Sequence, residues 1–122
     1  MPRNMSFQMT TKQIQDESKT VTRRFGWWFL KSGDILNACE KCMGLKKGEK
    51  IKKLKLIRVV STRKELLSAI TKEDCILEGF PEMVPEDFIK MLTNHYKCNP
   101  DKVVNRIKFE YLKEEKEAGQ SE

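Results

Sequence analysis

Residues 18–24, with the sequence Ser-Lys-Thr-Val-Thr-Arg-Arg, place an amine, hydroxyl groups and two guanidinium groups within seven positions. Lys19 and Thr22 lie three residues apart, and Arg24 follows them. These three side chains can contact an anionic or amide-bearing ligand from several directions. Very little else in the sequence is as dense in reactive groups. This segment is therefore the first candidate for a binding or catalytic site.

Covalent catalysis is one chemistry that the segment permits. A threonine hydroxyl such as that of Thr22 becomes an effective nucleophile when a neighbouring base removes its proton. Lys19 can act as that base if burial or a nearby cation, from Arg23 or Arg24, lowers its pKa towards neutrality. A carboxylate beside the lysine has the opposite effect, because an ion pair keeps the amine protonated. The residues alone leave both outcomes open.

Binding of a nucleic acid or nucleotide is the second chemistry. Basic side chains meet phosphates or base edges, and the indole rings that follow the segment can stack on a base. On a strand, consecutive side chains face opposite ways, so at most one of the two tryptophans is available for stacking. Lysines near residue 46 extend the positive track. The residues assigned to this role are Lys19, Arg23, Arg24, Trp27, Trp28, Lys46 and Lys47.

The charge of the chain is unevenly distributed. Residues 1–63 contain 15 Lys and Arg against 5 Asp and Glu, a net charge of +10, whereas residues 64–122 contain 9 against 13, a net charge of −4. The candidate segment lies in the positive half. A polyanion or a phosphate-bearing ligand would be drawn to that half with an affinity that falls with salt. Solvated surface lysines explain the same asymmetry.

A structural zinc ion is a third possibility. Cys39 and Cys42 have the spacing of a ligand pair, and His95 and Cys98 offer a second pair that would complete a tetrahedral site. Residues three apart on a strand point to opposite faces, which argues against the first pair unless a turn begins there. Reduced, partly buried thiols are the simpler interpretation, and we expect no cofactor.

Hydrophobic periodicity predicts the elements that must position these groups. A threonine followed three residues later by a carboxylate predicts a capped helix beginning after Thr71 and ending at Gly79, and Pro85 predicts the first turn of another helix. The predicted strands are 5–9, 20–24, 35–42, 51–60 and 106–111, with a short helix from Thr10 or Thr11 to Glu17 and a strand irregularity near residues 56–57.

Length and composition bound the architecture. The 122 residues predict one domain over 1–112, followed by a charged, disordered tail at 113–122. No apolar run approaches the ~20 residues that a membrane-spanning helix needs, and the first residues lack the apolar core of a secretory signal. We therefore expect a cytoplasmic monomer that does not contact membranes.

The pattern Lys-x-x-Thr-x-Arg, formed by Lys19, Thr22 and Arg24, resembles the signature of the ASCH domain of the PUA-like superfamily. Glu17 stands where the family motif begins with glycine, and the Gly-Asp turn at 33–34 is similar to the family's turn into a strand. The resemblance extends over roughly residues 5 to 112. It implies an α+β fold, a small PUA-like β-barrel of about five or six strands with short flanking helices and a cleft along one side.

The resemblance also implies two functions. PUA-like domains commonly hold RNA or a modified base in the cleft, so recognition of RNA, a modified nucleoside or single-stranded nucleic acid is the leading expectation. Some ASCH proteins are amidohydrolases acting on N4-acetylcytidine through a Lys, a Thr and a Glu. Those positions fall here on Lys19, Thr22 and Glu78, the last by aligning the family's helix start with Ile70-Thr71. A zinc-stabilised interaction domain is the second alternative.

Overall fold

Five strands of the chain form one curled sheet, which closes halfway into a barrel. A computed structural model describes residues 2–42 and 45–113. The strands run in the order β1-β3-β4-β5-β2 across the sheet, and all neighbours are antiparallel except β1 and β3. Their bounds are Arg3–Ser6 (β1), Val21–Arg24 (β2), Ile35–Cys39 (β3), Lys53–Leu66 (β4) and Val103–Leu112 (β5).

Three short helices pack around the sheet: Thr11–Gln15 (α1), Lys72–Leu77 (α2) and Pro85–Tyr96 (α3). The predicted cap of α2 is confirmed, since Thr71 Oγ1 accepts a hydrogen bond of 3.2 Å from the backbone N–H of Asp74. The predicted stop is confirmed as well, because Gly79 follows the helix with φ 97°. The small α+β barrel predicted from the resemblance is therefore confirmed, with five strands.

The strands predicted at 35–42 and 51–60 are confirmed as the antiparallel pair β3 and β4, but their bounds differ. β4 continues six residues beyond the predicted end, because its second half pairs with the first half of β5. The pairing register shifts at Ala38/Cys39 and at Val59/Ser61 rather than at residues 56–57. The predicted position of the irregularity was therefore wrong, since the shifts depend on how each strand pairs with its neighbour.

The predicted strand at 5–9 was also misplaced. β1 ends at Ser6, and residues Gln8–Thr10 form a 3-10 turn that leads into α1. Phe7 still donates to the carbonyl of Cys39 over 2.7 Å, but Thr11 Oγ1 donates back to the carbonyl of Phe7 over 3.1 Å. These side-chain and turn contacts pull the chain out of the sheet, and sequence alternation does not reveal them.

Two apolar clusters flank the candidate segment. The larger fills the half-barrel and includes Met5, Phe7, Ile57, Ile107 and Phe109, all almost fully buried. The smaller, which includes Leu67, Cys75, Phe88, Leu92 and Val104, joins α2 and α3 to the end of the sheet. β2 is an edge strand between them, so its polar side chains face the seam between two cores.

No helix within the described residues is long and apolar enough to cross a membrane. The predicted tail lies outside the described residues from position 114 onward.

Candidate functional site

A residue with a left-handed backbone conformation lies between α1 and Lys19. Glu17 has φ 63°, in the region that favours glycine, and it occupies the position where the ASCH motif has glycine. The turn is closed by Asp16, whose Oδ1 accepts 2.9 Å from the N–H of Ser18. A surface ion pair of 3.1 Å joins Glu17 to Lys55. Glu17 therefore adopts a backbone conformation that favours glycine, at a cost in strain.

That strain leads to a first prediction. We expect Glu17→Gly to raise the free energy of unfolding by up to about 1 kcal/mol, because relief of the left-handed strain exceeds the loss of an exposed ion pair and the added flexibility of the unfolded chain. Asp16→Gly is the matched control. That residue has φ −91° and loses its hydrogen bond to Ser18, so we expect it to destabilise. Urea denaturation of both variants measures the two changes in the free energy of unfolding. Destabilisation of equal size in both variants would contradict the strain argument.

Three elements hold the backbone of Lys19 in place. The Tyr111 hydroxyl on β5 donates to the Lys19 carbonyl over 2.5 Å, and the Lys19 N–H donates to the carbonyl of Gln13 on α1 over 3.3 Å. Thr20 N–H donates 2.8 Å to the carbonyl of Leu77 on α2. The amine is therefore positioned by contacts that reach across most of the sequence.

Lys19 and Glu78 form a buried ion pair. Their side chains are 4% and 3% exposed, and Lys19 Nζ lies 2.5 Å from Glu78 Oε1 and 2.9 Å from the Glu78 backbone carbonyl. Glu78 is the C-terminal cap of α2. The following Gly79 packs so closely on Gln13 that an added Cβ would lie 2.7 Å from Gln13 Cγ. Close approach of α1 to α2 at this glycine brings the amine and the carboxylate together.

Arg23 extends this pair into a chain of alternating charges. Its Nη1 donates 3.0 Å to Glu78 Oε2, while its Nη2 contacts Asp74 and lies 2.6 Å from Glu65. Asp74 in turn accepts 3.0 Å from Arg106. Burial lowers the pKa of Arg23, but the charge of Glu78 and bonds to three carboxylates outweigh it and raise that pKa overall. These carboxylates neutralise the Arg23 guanidinium, so little of its charge is available to a ligand.

Burial dominates the ionisation of Lys19. Removal from water, helped by the nearby charges of Arg24 and Arg23, lowers its pKa, although Glu78 acts in the opposite direction. Since the pKa of the folded state lies below that of the unfolded state, the protonated amine weakens stability at pH values below the folded pKa. The environment thus favours proton loss from Lys19 more than water does, as a general base requires.

Asp74 leads to a second prediction. Burial raises its pKa, but the hydrogen bonds and charges of Arg106 and Arg23 outweigh this and hold the pKa below its usual 3.8. A lowered folded-state pKa contributes stability above the usual value, and this is lost as pH falls through the folded value. Asp74→Asn should therefore lose stability less steeply than wild type below about pH 4. Denaturation midpoints measured against pH test this, with the exposed Asp101→Asn as control; parallel curves for Asp74→Asn and wild type would contradict it.

Arg24 differs from its neighbour because it has no carboxylate partner among the described residues. Its Nε donates 3.1 Å to Thr22 Oγ1 and its Nη2 donates 2.6 Å to the backbone carbonyl of Ser6. The guanidinium lies 4.6 Å from the centre of the Phe7 ring. Burial lowers the pKa of Arg24. Arg24 is a guanidinium held only by neutral groups, and it bridges the two edge strands of the half-barrel.

These groups line one pocket of about 360 Å³ at the seam between β1, β2 and α3. Lys19, Thr22 and Glu78 lie together in it, as do Arg23 and Arg24. Its other walls are mainly aromatic and apolar. They are Ser6, Phe7, Gln8, Met9, Thr10, Phe80, Phe88, Met91, Leu92, His95 and Tyr96. The pocket can therefore offer several hydrogen-bond donors and one carboxylate to a flat, partly apolar ligand.

The remaining predicted residues lie elsewhere. Trp27 packs against the barrel core and Trp28 is 49% exposed, and neither lines this pocket. Lys46 and Lys47 are exposed in the segment between β3 and β4 and do not line it either.

The four candidate zinc ligands do not assemble. Cys39 is buried, Cys42 and Cys98 are partly buried, and the exposed His95 belongs to the pocket wall. Across residues 2–42 and 45–113, no three His, Cys, Asp or Glu side chains converge on a point that can hold a metal ion. The fold therefore gives the zinc alternative no support within that part of the chain.

Sequence reasoning missed the second half of the site. The wall from α3, with His95 and Tyr96, and the β1 contribution, with Ser6 and Phe7, carry no motif. The Tyr111 contact to Lys19 joins residues 92 positions apart.

The fold is similar to the folds of several solved structures. The chain is similar to the crystal structure of an ASCH domain from Lactobacillus crispatus, with a TM-score of 0.68, 11% identity, and coverage of 89% of this chain and 78% of that one. It is similar to a DUF984 protein from Enterococcus faecalis, with a TM-score of 0.65, 14% identity and coverage of 92% and 80%. A hypothetical protein of solved structure aligns with a TM-score of 0.66, 19% identity and coverage of 92% and 100%.

No family model matches the sequence, and no match to a curated protein was found. At these identities the likeness establishes the fold, and the resemblance to the ASCH domain is thereby confirmed at the level of the fold.

Proposed function

We propose that the pocket recognises a single nucleobase, presented as a modified nucleoside or as one base of an RNA. The observation that carries this proposal is Arg24, a guanidinium without a carboxylate partner among the described residues, beside Lys19 and Thr22 in a pocket of about 360 Å³. That volume lies within the range of about 300–1,000 Å³ typical of small-molecule sites. The unpaired charge and the size select a compact ligand with exposed acceptor atoms.

The polar floor of the pocket suits the edge of a pyrimidine. Lys19 uses two of its three N–H groups on Glu78, and Arg24 has Nη1 without a partner among the described residues. Carbonyl oxygens and ring nitrogens are the acceptors that such donors bind. The Glu78 carboxylate and the Thr22 hydroxyl can accept from an exocyclic amine or amide N–H. The floor therefore complements a base that carries both kinds of group.

The walls of the pocket suit the faces of a base. Phe80 is partly buried, Tyr96 is exposed, and both contribute rings to the lining of the pocket. Base–aromatic stacking is worth about 1–3 kcal/mol. Because Lys46 and Lys47 lie outside the pocket, the lining supports recognition of one base rather than of a long phosphate track.

Hydrolysis of an acyl amide on that base is the second candidate. It is favoured by one arrangement: a lysine whose pKa is lowered by burial lies in the same pocket as a threonine, although the carboxylate 2.5 Å from the amine acts in the opposite direction on that pKa. In this scheme neutral Lys19 takes the Thr22 proton as Oγ1 bonds to the acyl carbon. The C–N bond then breaks, Lys19 returns the proton to the leaving amine, and water releases the acyl group as a carboxylate. Arg24, donating to Thr22, lies where the oxyanion would form.

One experiment separates the two candidates. N4-acetylcytidine is titrated into the protein by calorimetry, and the mixture is then analysed by chromatography for cytidine and acetate. A binder gives saturable heat without product, and Lys19→Ala weakens the binding. A hydrolase gives product, and Thr22→Ala abolishes product while the nucleoside still binds. Neither heat nor product at high protein concentration would contradict the proposal for this ligand.

A further inference from the structure

A second depression is lined by Pro2, Arg3, Asn4, Phe25, Trp27 and Phe29. Two features join the two sites. β1 contributes Arg3 and Asn4 to the second and Ser6 to the first. The ring of Phe25 packs edge-on against that of Tyr96, with centres 4.9 Å apart, and Tyr96 lines the first pocket. A residue that lines one site is therefore in contact with a residue that lines the other.

The loop formed by residues 25–29 pairs its rings with cations. The Arg3 guanidinium lies 4.7 Å from the Phe29 ring centre, Lys64 Nζ lies 5.3 Å from the Trp28 ring and Lys102 Nζ lies 5.9 Å from the Phe25 ring. Trp28 and Phe29 are 49% and 53% exposed. None of the six residues that line the second depression is acidic. The surface thus combines exposed aromatic rings with cations that form no ion pair with a carboxylate of the described residues.

The loop is held in a fixed shape. Gly26 and Trp27 both have left-handed backbones, with φ 108° and 58°, and the Trp27 carbonyl accepts 3.0 Å from Asn105 Nδ2. Trp27 packs against the barrel core, and its ring centre lies 5.5 Å from that of Phe29. A preorganised loop loses little conformational freedom when a ligand binds. The exposed rings of Trp28 and Phe29 therefore follow a backbone segment that is held to β5 and to the barrel core.

We infer that the pocket and this loop together form a track for single-stranded nucleic acid. This inference rests on the proposed function. One base enters the pocket of Lys19 and Arg24, and the adjoining nucleotide stacks on Trp28 or Phe29. Its phosphates lie towards Arg3 and Lys64. Rings interleaved with cations are the pattern of single-strand binding surfaces, because rings stack on any base while cations neutralise the backbone. The ligand is then a polynucleotide rather than a free nucleoside.

The test compares a fluorescent single-stranded RNA hexamer that carries one central N4-acetylcytidine with the free nucleoside as competitor. We expect the hexamer to bind at least about tenfold more tightly, and Trp28→Ala or Phe29→Ala to weaken hexamer binding by roughly 5- to 100-fold. Both variants should leave the affinity for the nucleoside unchanged. Ile76→Ala, at a position that is 46% exposed and lines neither site, is the matched control.

Three further variants distinguish the contribution of stacking from that of charge and from an effect of misfolding. Trp28→Tyr keeps a ring and should bind the hexamer nearly as well as wild type. Lys64→Ala should reduce the slope of log K against log salt by about 0.7, the value for one phosphate of a single strand. Lys90→Ala, on the exposed side of α3, should leave that slope unchanged.

Several results would overturn the inference. If the hexamer and the nucleoside bind with equal affinity, or if the loop variants bind the hexamer as tightly as Ile76→Ala does, the loop does not bind the nucleic acid. The proposal for the pocket would be unaffected by either result. If hexamer binding persists in Trp28→Ala and Phe29→Ala but is lost in Lys64→Ala, the surface binds nucleic acid through charge and not through stacking. Failure of both ligands to bind would overturn the pocket and the track together.

Discussion

Replacing Glu78 with glutamine should lower the free energy of unfolding by about 3–5 kcal/mol, because it leaves buried cations without their shared counter-charge. Glu78 accepts from Lys19 over 2.5 Å and from Arg23 over 3.0 Å, and all three side chains are at most 4% exposed. Glutamine keeps the shape of the side chain but offers one neutral acceptor and a donor that faces other donors. The measurement is urea denaturation at neutral pH.

The control is Glu82→Gln, at an exposed position between α2 and α3, which should change stability by less than about 0.5 kcal/mol. A double variant, Lys19→Met with Glu78→Gln, should lose less stability than the sum of the single variants, because it removes both members of the pair. A loss below about 1 kcal/mol for Glu78→Gln would show that the buried pair is not the structural link described above.

Replacing Arg24 with glutamine should weaken binding of N4-acetylcytidine by about 10- to 100-fold. A hydrogen bond to a charged group contributes about 1.5–3 kcal/mol, and Arg24 supplies the one guanidinium of the pocket that no described carboxylate neutralises. Arg23→Gln is expected to act mainly on stability, because that side chain is bound to Glu65, Asp74 and Glu78. Calorimetric titration alongside thermal denaturation separates the two effects.

Arg58→Gln is the control for this prediction, since Arg58 is 46% exposed and pairs with Glu110 on the sheet surface. It should bind the nucleoside as wild type does. Unchanged affinity in a folded Arg24→Gln variant would mean that the unpaired guanidinium does not contact the ligand.

Interactions between residues close in sequence made part of the fold predictable. A threonine three residues before a backbone N–H caps α2, and a glycine in a left-handed conformation ends the segment after it, so residues 71–79 follow from neighbouring side chains. The length of β4 does not follow in this way, because its second half exists only through pairing with β5. Strand ends set by distant partners lie beyond what periodicity reveals.

The sequence likewise predicted only part of the candidate site. The motif residues Lys19 and Thr22, and Glu78 through the ASCH resemblance, do lie in one pocket. The sequence treats Arg23 and Arg24 as equivalent cations. Which of the two guanidinium groups meets the carboxylates at α2 depends on tertiary packing, and so does the difference between a neutralised guanidinium and an available one. The wall from α3 has no local signal for the same reason.

The central claim is that the pocket at the seam of β1, β2 and α3 is where the ligand binds. Amide chemical shifts of isotopically labelled protein, recorded during titration with N4-acetylcytidine, test this most directly. We expect saturable shifts confined to the pocket, at Phe7, Thr22, Arg24 and Tyr96 and their neighbours. Shifts centred on the lysines between β3 and β4, with those four amides unmoved at saturation, would contradict it.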